Sequence, residues 1–178
     1  MQLDKIVSAY ESDNWSLLKD LLSNTEVNQM WPQVLAVLSK GKRPSQSVCD
    51  GFHTLWTERG HRIREQVSND PLVIGALRVL LPVYCGEPLQ LYRGENRIRW
   101  YNAEIGLAWT TKKSVAEMFA RGLNAFHGGG VLLSTVAPVS AIIAGPGRHS
   151  IYLGEFEYIV DRQFLFEIDC CAVFPEVV

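Results

Sequence analysis

The chain changes its pattern of apolar residues near residue 85, and this change restricts the folds that it can adopt. Before that point, apolar residues recur at the three- and four-residue spacing of amphipathic helices. After it, the sequence consists mainly of short runs rich in β-branched and aromatic residues, separated by glycine and proline. Helices followed by many short strands are typical of an α+β protein and argue against a βαβ alternation.

The apolar spacing predicts five helices first, and then one helix among seven short strands. The expected helices are Ile6–Tyr10, a segment from an Asp13 N-cap to about Leu22, Pro32–Gly41, Ser45–Val67, Asp70–Leu81 with Asp70 as N-cap, and 112–121 with Thr111 placed to cap it. The expected strands are 89–92, 106–110, 131–136, 139–144, 158–161, 164–168 and 171–174. We therefore expect a helical segment over residues 1–85 and a strand-rich core over residues 86–178.

Charge and cysteine content exclude several classes of protein. The 178-residue chain has a net charge of −2, and the parts before and after residue 88 carry 9 and 8 basic against 10 and 9 acidic residues. This balance argues against a strongly basic nucleic-acid-binding module. The four cysteines, at positions 49, 85, 170 and 171, have neither zinc spacing nor the arrangement of a disulfide framework. We expect a cytoplasmic protein with reduced thiols and without a metal, a signal peptide or a membrane span, although export by a dedicated system stays open.

Three short motifs in the second part of the chain are candidates for chemistry. Arg93 and Gly94 end the first predicted strand. Thr110 and Thr111 lie at a junction between a strand and a helix, and a Glu-Phe-Glu sequence at 155–157 follows a Gly/Pro loop. Taken singly, the motifs are typical of a surface ion pair, a helix cap and an exposed strand face. No familiar nucleotide-binding, zinc-protease or nucleophile-elbow motif is present in the sequence.

In this order, the three motifs resemble the signature of the Arg–Ser/Thr–Glu class of ADP-ribosyltransferases, which is toxin-like. That signature has an arginine on an early strand, a hydroxyl-bearing segment on a middle strand and a late glutamate, often in Glu-x-Glu, that opens another strand. The resemblance covers about residues 88–174, whereas residues 1–85 match no family that we can name. It implies a split β-sandwich, two small packed sheets around a cleft for the substrate NAD, with Arg93 and Glu157 both facing that cleft.

The resemblance also implies roles for the two glutamates. Transfer of ADP-ribose breaks the bond between nicotinamide and ribose through an oxocarbenium-like transition state. A carboxylate that accepts a hydrogen bond from the ribose 2′-hydroxyl favours the positive charge that develops there. Glu157 takes this role by family precedent. Glu155 lies two residues upstream on the same face of the expected strand, where it would orient or deprotonate the acceptor.

The remaining roles that the resemblance implies concern NAD and its acceptor. Arg93 would clamp the pyrophosphate or a ribose as a fixed cation, and Gly94 would let the backbone approach the nicotinamide amide. Thr110, together with Thr111, would hydrogen-bond the ribose or hold Glu157. The candidates in the flanking loops are Arg121 for a phosphate contact, Phe126 for stacking on nicotinamide, and His149 and Tyr152 for facing the acceptor.

The sequence leaves the acceptor open. The leading hypothesis is a toxin- or effector-like mono-ADP-ribosyltransferase that modifies a protein side chain, and Glu-x-Glu favours arginine as that side chain. An RNA or DNA acceptor is the alternative, because Arg97–Tyr101 mixes cations with aromatic rings. NAD hydrolysis, or a degenerate module that only binds NAD or a partner, are further alternatives. Residues 1–85 are expected to dock the target, cover the NAD cleft or bind a neutralising partner protein.

Overall fold

The structure is a computed structural model that describes residues 2–24 and 29–177. The chain forms two compact units, one ending at Val83 and the other beginning at Tyr84. The first unit is helical and the second combines an antiparallel sheet with short helices, so the α+β class is confirmed. None of the helices within the described residues is both long and apolar enough to cross a membrane.

The described part of the N-terminal unit contains the five helices that the apolar spacing predicted. They are α1 (Gln2–Glu11), α2 (Trp15–Ser23), α3 (Trp31–Leu38), α4 (Gln46–Val67) and α5 (Asp70–Leu80). Two N-caps differ from the prediction, because Asn14 rather than Asp13 caps α2 and Asn69 rather than Asp70 caps α5. Asp13 and Asp70 instead form a hydrogen bond and an ion pair with other segments of the unit. Such tertiary partners cannot be read from the sequence of a single helix.

The C-terminal unit is built on a six-stranded sheet. Its strands are β1 (Leu89–Asn96), β2 (Ala108–Thr110), β3 (Gly130–Ala137), β4 (Ile142–Ala144), β5 (Glu157–Val160) and β6 (Asp169–Phe174). Its helices are α6 (Arg97–Tyr101), α7 (Lys113–Arg121) and α8 (Arg148–Tyr152), with 3-10 turns at Val139–Ala141 and Arg162–Phe164. The strand order is β4-β5-β2-β1-β3-β6, and all neighbouring strands are antiparallel.

The sheet differs from the predicted pair of packed sheets. Hydrogen bonding joins all six of these strands, so the described residues form one sheet rather than two. Its halves, β4-β5-β2 and β1-β3-β6, share one backbone residue pair, Tyr92↔Thr110, whereas β1 pairs with β3 along its whole length. The sheet is therefore continuous but weakly joined at its centre, where β1 and β2 diverge beyond a single pair.

The strand predicted at 164–168 is wrong. The chain forms a 3-10 turn at Arg162–Phe164, and the next strand begins only at Asp169. The Asp161 side chain starts the turn, because its carboxylate accepts a hydrogen bond of 3.1 Å from the Gln163 amide. A local side-chain bond has therefore overridden the β-propensity of the phenylalanines that follow.

Helix α7 packs against the sheet so closely that β1 requires glycine at position 94. A Cβ on Gly94 would collide with the α7 backbone, at the carbonyl of Ala116 and the amide of Ala120. The two alanines form this interface together with Leu132 and Phe174 of the sheet. Small residues on both sides thus set the distance between helix and sheet. The nicotinamide contact predicted for Gly94 stays a prediction, beside this packing role.

Replacement of Gly94 by alanine is expected to lower the free energy of unfolding by about 2–3 kcal/mol, because a rigid backbone has to move to admit the new methyl group. Gly145→Ala is the matched control in the same unit, since its new Cβ would meet only ordinary contacts at 3.5 Å or more. Urea unfolding of both variants measures the difference. Equal stability of the two variants would contradict the close packing of α7 on β1.

Candidate active site

Residues from the three sequence motifs lie on three adjacent strands. Tyr92 of β1 is opposite Thr110 of β2, and Thr110 is opposite Glu157 of β5. Because directly paired residues of antiparallel strands point to the same face, these three side chains share one face of the sheet. The row crosses the weak centre of the sheet, so one half supplies Tyr92 and the other supplies Thr110 and Glu157.

Next to this row, side chains replace the backbone hydrogen bonds between β1 and β2. The Arg93 guanidinium donates a hydrogen bond of 2.5 Å to the carbonyl of Ala108 in β2. Glu95 accepts a hydrogen bond of 2.8 Å from the amide of Gly106, just before β2. Nε and Nη2 of Arg93 each lie 2.8 Å from Oε2 of Glu95. This ion pair therefore bridges the two halves of the sheet where their backbones no longer pair.

Glu95 is fully buried, and its charge is well compensated. Its second oxygen accepts a hydrogen bond of 2.9 Å from the Asn96 amide and lies 3.8 Å from the Arg99 guanidinium. Burial alone would raise the pKa of Glu95, but Arg93, Arg99 and the Gly106 amide hold that pKa below its ordinary value. Glu95 is therefore ionised in the folded protein, with Arg93 as its main partner.

Arg93 does not share a face with Glu157, contrary to the expectation that both face one cleft. Along β1 it alternates with Tyr92, so it lies on the face of Leu91, and a Cβ on Gly106 would collide with its guanidinium. The positive charge of Arg93 nevertheless lowers the pKa of Glu157, since the guanidinium reaches across to β2. Arg93 thus acts on Glu157 through its charge, and the predicted clamp on the pyrophosphate stays a prediction.

Glu157 opens β5 and is partly buried there. Burial raises the pKa of Glu157 to about 8, the nearby charge of Glu155 contributes in the same direction, and Arg93 partly offsets both. At pH 7 this carboxyl is therefore mostly protonated in the free protein. A carboxyl that titrates near the working pH beside a second carboxyl is typical of acid–base and charge-stabilising sites.

Glu155 lies close to Glu157, but strand alternation is not the reason. Because β5 begins at Glu157, Glu155 precedes the strand. The chain bends sharply between them, with φ of +75° at Gly154 and +49° at Phe156. Left-handed backbone is unfavourable for a bulky aromatic residue, and strain of this kind is concentrated at functional sites. The bend, rather than a common strand face, brings the two carboxyls together.

Helix α8 supplies the neighbours of Glu155. Burial raises the pKa of Glu155, and the adjacent His149 lowers it in part. The rings of His149 and Tyr152 stack with their centroids 6.4 Å apart, and Tyr152 is 85% exposed. The structure thus brings His149 next to Glu155 and Tyr152 next to His149. Their contact with an acceptor stays a prediction.

Thr110 is buried, and its hydroxyl binds the backbone just before the helix that follows. Its Oγ1 accepts a hydrogen bond of 3.1 Å from the Lys112 amide. The prediction that Thr111 caps α7 is wrong, because Lys112 is the N-cap and α7 has no side-chain cap bond. The Thr110 hydroxyl still has its own proton to donate on the face that it shares with Glu157. Thr111 follows β2 and lies outside the row of paired residues.

Arg121 lies far from Glu157 in the fold. Its guanidinium lies 4.3 Å from the centroid of the Phe174 ring, on β6. Since β6 is four strands from β5, at about 4.8 Å per strand the separation is roughly 19 Å. This arrangement does not support the predicted phosphate contact of Arg121. The ring of Phe126 is exposed in the loop after α7, and its carbonyl accepts a hydrogen bond of 2.9 Å from the Asn96 side chain.

The motifs gave no role to two residues of the site, Glu95 and Ser150. Glu95 carried a usable signal, because an acidic residue two positions after Arg93 on a strand falls on the same face. Ser150 carried none, being an ordinary serine in a five-residue helix. Only the reversal of the chain after α8 brings its hydroxyl to the start of β5, where it accepts a hydrogen bond of 2.5 Å from the Glu157 amide.

No protein-family model matches this chain, and no curated protein or solved structure is significantly similar to it. Among residues 2–24 and 29–177, no group of three or more His, Cys, Asp or Glu side chains is arranged to hold a metal ion. The geometry around Glu157 and the resemblance of the motifs are therefore the grounds for assigning a function.

Removal of the Arg93 side chain is expected to be strongly destabilising, because it leaves Glu95 buried and ionised without its main partner. Arg93→Ala should lower the free energy of unfolding by about 3–5 kcal/mol, and Arg93→Ala/Glu95→Gln by less than the sum of the single changes. Arg121→Ala removes an exposed ion pair with Glu117 and a cation–π contact with Phe174, and it should cost only about 1 kcal/mol. Urea unfolding checks all four variants. A loss below 1 kcal/mol for Arg93→Ala would show that the buried pair does not bridge the sheet.

Glu157→Gln is expected to stabilise the protein at alkaline pH. The folded wild-type carboxyl holds its proton up to about pH 8, whereas an unfolded one releases it near pH 4.5, so wild-type stability falls as pH rises between these values. The glutamine side chain does not titrate, and its advantage should be absent below pH 4.5 and reach on the order of 2–4 kcal/mol above pH 8. Thermal unfolding between pH 4 and 9 measures this trend.

Glu95→Gln provides the control of opposite sign. The pKa of Glu95 is lowered in the folded state, so its ionised form contributes stability above the unfolded pKa and loses it as pH falls through the folded pKa. The deficit of Glu95→Gln should therefore be largest at neutral pH and shrink in acid. If the two variants gave parallel, pH-independent shifts, the environments described for the two carboxyls would be wrong.

Proposed function

We propose that this chain is a mono-ADP-ribosyltransferase of toxin or effector type, which transfers ADP-ribose from NAD to a protein side chain. Its C-terminal unit then corresponds to the catalytic core that the sequence motifs imply, with one divided sheet in place of the two packed sheets. The division of the sheet into two three-stranded halves between β1 and β2 supports this correspondence.

The observation that carries the proposal is the position of Glu157. It pairs with Thr110 in the strand next to β1, carries a raised pKa, and has Glu155 and the charge of Arg93 nearby. These are the late glutamates, the hydroxyl and the arginine of the three motifs. Their proximity is a stronger argument than their order in the sequence, because unrelated residues have no reason to converge.

In the proposed reaction, the bond between ribose C1′ and the nicotinamide nitrogen breaks. The bonding electrons leave with nicotinamide, which becomes neutral, and positive charge develops on the ribose. Ionised Glu157 accepts a hydrogen bond from the 2′-hydroxyl and stabilises that charge. The cationic nicotinamide ring of bound NAD favours the ionised form of Glu157, and substrate binding therefore lowers the pKa of that carboxyl.

Glu155 acts on the acceptor. An acceptor nitrogen forms the new bond to C1′ and transfers a proton to the Glu155 carboxylate. The raised pKa of Glu155 makes it a better base near neutral pH than an ordinary surface carboxylate. Its negative charge also suits an arginine side chain, whose guanidinium forms charge-assisted hydrogen bonds with carboxylates. His149 and Tyr152 border the approach to Glu155 on this account.

Arg93 has a different main task from the one that the motif implied. Its contacts with Glu95 and Ala108 fix the two halves of the sheet relative to each other, and its charge moderates the pKa of Glu157. With 12% of its side chain exposed, it contacts NAD at most through the remaining Nη donors. Thr110 has a free hydroxyl proton for the ribose, and the nicotinamide contact of Gly94 remains part of the proposal.

A nucleic-acid acceptor is less well supported by the segment that prompted it. Residues 97–101 form helix α6, in which Trp100 packs against the sheet core and Arg99 donates a hydrogen bond to the Glu104 carbonyl. Tyr101 is the ring of this segment that is mainly exposed. Stacking of successive bases requires a row of accessible rings. We therefore favour a protein acceptor, with RNA or DNA, hydrolysis of NAD and simple NAD binding as outcomes of the tests.

Replacement of each glutamate by glutamine is expected to separate the two roles. Glu157→Gln should reduce ADP-ribose transfer and NAD hydrolysis by about 10²–10³, with little change in NAD affinity, since its contact matters mainly in the transition state. Glu155→Gln should suppress transfer and leave hydrolysis largely intact. Nicotinamide release with and without acceptor measures both, and Glu117→Gln on the exposed face of α7 is the control. The converse pattern would exchange the two roles, and unchanged release in both variants would refute the proposed enzyme.

Labelled NAD identifies the acceptor class. The protein is incubated with cell extract and NAD labelled in its adenylate part, and the product is then treated with protease or nuclease. We expect a label that protease releases and nuclease does not. A nuclease-sensitive label would assign the activity to nucleic acid, and free labelled ADP-ribose alone would assign it to hydrolysis.

A further inference from the structure

One residue, Ser150, binds the backbone of all three residues of the Glu-Phe-Glu sequence. Its Oγ accepts a hydrogen bond of 2.5 Å from the Glu157 amide. Its carbonyl accepts hydrogen bonds from the amides of Glu155, at 3.0 Å, and Phe156, at 3.4 Å. Ser150 has no exposed surface, so water does not compete for these contacts. Three consecutive amides therefore end on a single buried residue.

This arrangement follows from the reversal of the chain after α8. Gly154 adopts a left-handed conformation, which glycine tolerates, and the chain then turns back toward α8. Phe156 is also left-handed, at a cost that the surrounding contacts must offset. Its ring lies 5.3 Å from Lys112 Nζ, a cation–π contact with the start of α7. The glutamates are thus held between Ser150 on one side and the ring contact of Phe156 on the other.

The hydroxyl of Ser150 has a specific task that its carbonyl cannot perform. Glu157 is the first residue of β5, and its amide donates to the Ser150 hydroxyl. Without an acceptor at this point, the amide would be buried and unpaired, or the start of β5 would open to water. Either change moves the Glu157 carboxyl, because that side chain begins at the same backbone atom.

We propose that Ser150 is a positioning residue, whose buried hydroxyl fixes Glu157 at the start of β5 and so sets the geometry of the glutamate pair. The functional part of this inference rests on the proposed transferase activity. Its structural part concerns only the backbone and carboxyl of Glu157, and it can be tested without any substrate.

The test compares Ser150→Ala with wild type in three measurements on the full chain. Hydrogen exchange of the Glu157 amide should be at least tenfold faster in the variant. The Glu157 carboxyl, followed by 13C NMR, should titrate at lower pH, because the opened strand admits water. Nicotinamide release should fall about 10–100-fold in kcat while the KM for NAD stays within twofold, since Ser150 contacts no part of the substrate.

Two further variants keep the test decisive. Thr135→Val removes another buried hydrogen bond from a side chain to the backbone, of 2.6 Å to the Glu167 carbonyl, and should change none of the three measurements at Glu157. Ser150→Cys retains a weak acceptor of similar shape and should give smaller changes in the same direction, which matters if Ser150→Ala does not fold.

The outcomes separate this inference from the proposed function. Unchanged exchange and titration of Glu157 in Ser150→Ala would overturn the positioning role, whatever the activity. Faster exchange and a shifted titration, in a protein whose wild type releases no nicotinamide, would support the positioning of Glu157 and refute the transferase. A loss of activity equal in Ser150→Ala and Thr135→Val would reduce Ser150 to a merely structural residue.

Discussion

The buried ion pair between Arg93 and Glu95 is the contact on which the C-terminal unit depends most. Strands β1 and β2 share one residue pair, and beyond it Arg93 donates to the Ala108 carbonyl while Glu95 accepts from the Gly106 amide. Two side chains of β1 thus supply a donor and an acceptor where backbone hydrogen bonds between β1 and β2 are missing. The sheet therefore stays continuous although β1 and β2 share only one backbone residue pair. A buried pair of this kind is costly to desolvate, so it is better understood as specifying this geometry than as adding stability.

Glu157 lies on β5, which pairs with β2 in the half of the sheet beyond this single β1–β2 pair. The carboxyl is held where water is scarce and a second carboxylate is near, and its pKa is raised to about 8. The ionised form is therefore unfavourable in the free protein and becomes favourable when a cation approaches. The nicotinamide ring of NAD is such a cation. An ionised Glu157 carboxylate destabilises the protein when no ligand is bound. Such a residue is expected where selection acts on function rather than on stability.

The sequence predicted the five N-terminal helices, α7 and most strands, because their apolar spacing reports burial directly, but it did not predict the short helices α6 and α8. It failed where a polar side chain formed a hydrogen bond that this spacing does not report. Asp161 forms a local turn where the sequence favoured a strand, and Lys112 rather than Thr111 is the N-cap of α7. The structure brings Glu157 into one row with Thr110, whereas the motifs placed Arg93 on the same face as Glu157, which alternation along β1 excludes. The contact between Ser150 and Glu157 could not be predicted from the sequence, since only the reversal of the chain after α8 brings the two residues together.

The central claim is that Glu157 is a desolvated carboxyl placed to meet the cationic part of NAD. Its most direct test is a 13C NMR titration of the Glu157 side chain, without ligand and with a carbocyclic NAD analogue that keeps the charged nicotinamide but cannot be cleaved. The account predicts a pKa near 8 in the free protein and a clear decrease on addition of the analogue. A carboxyl that titrates at the ordinary value near 4.5, or one that does not respond to a saturating analogue, would contradict it.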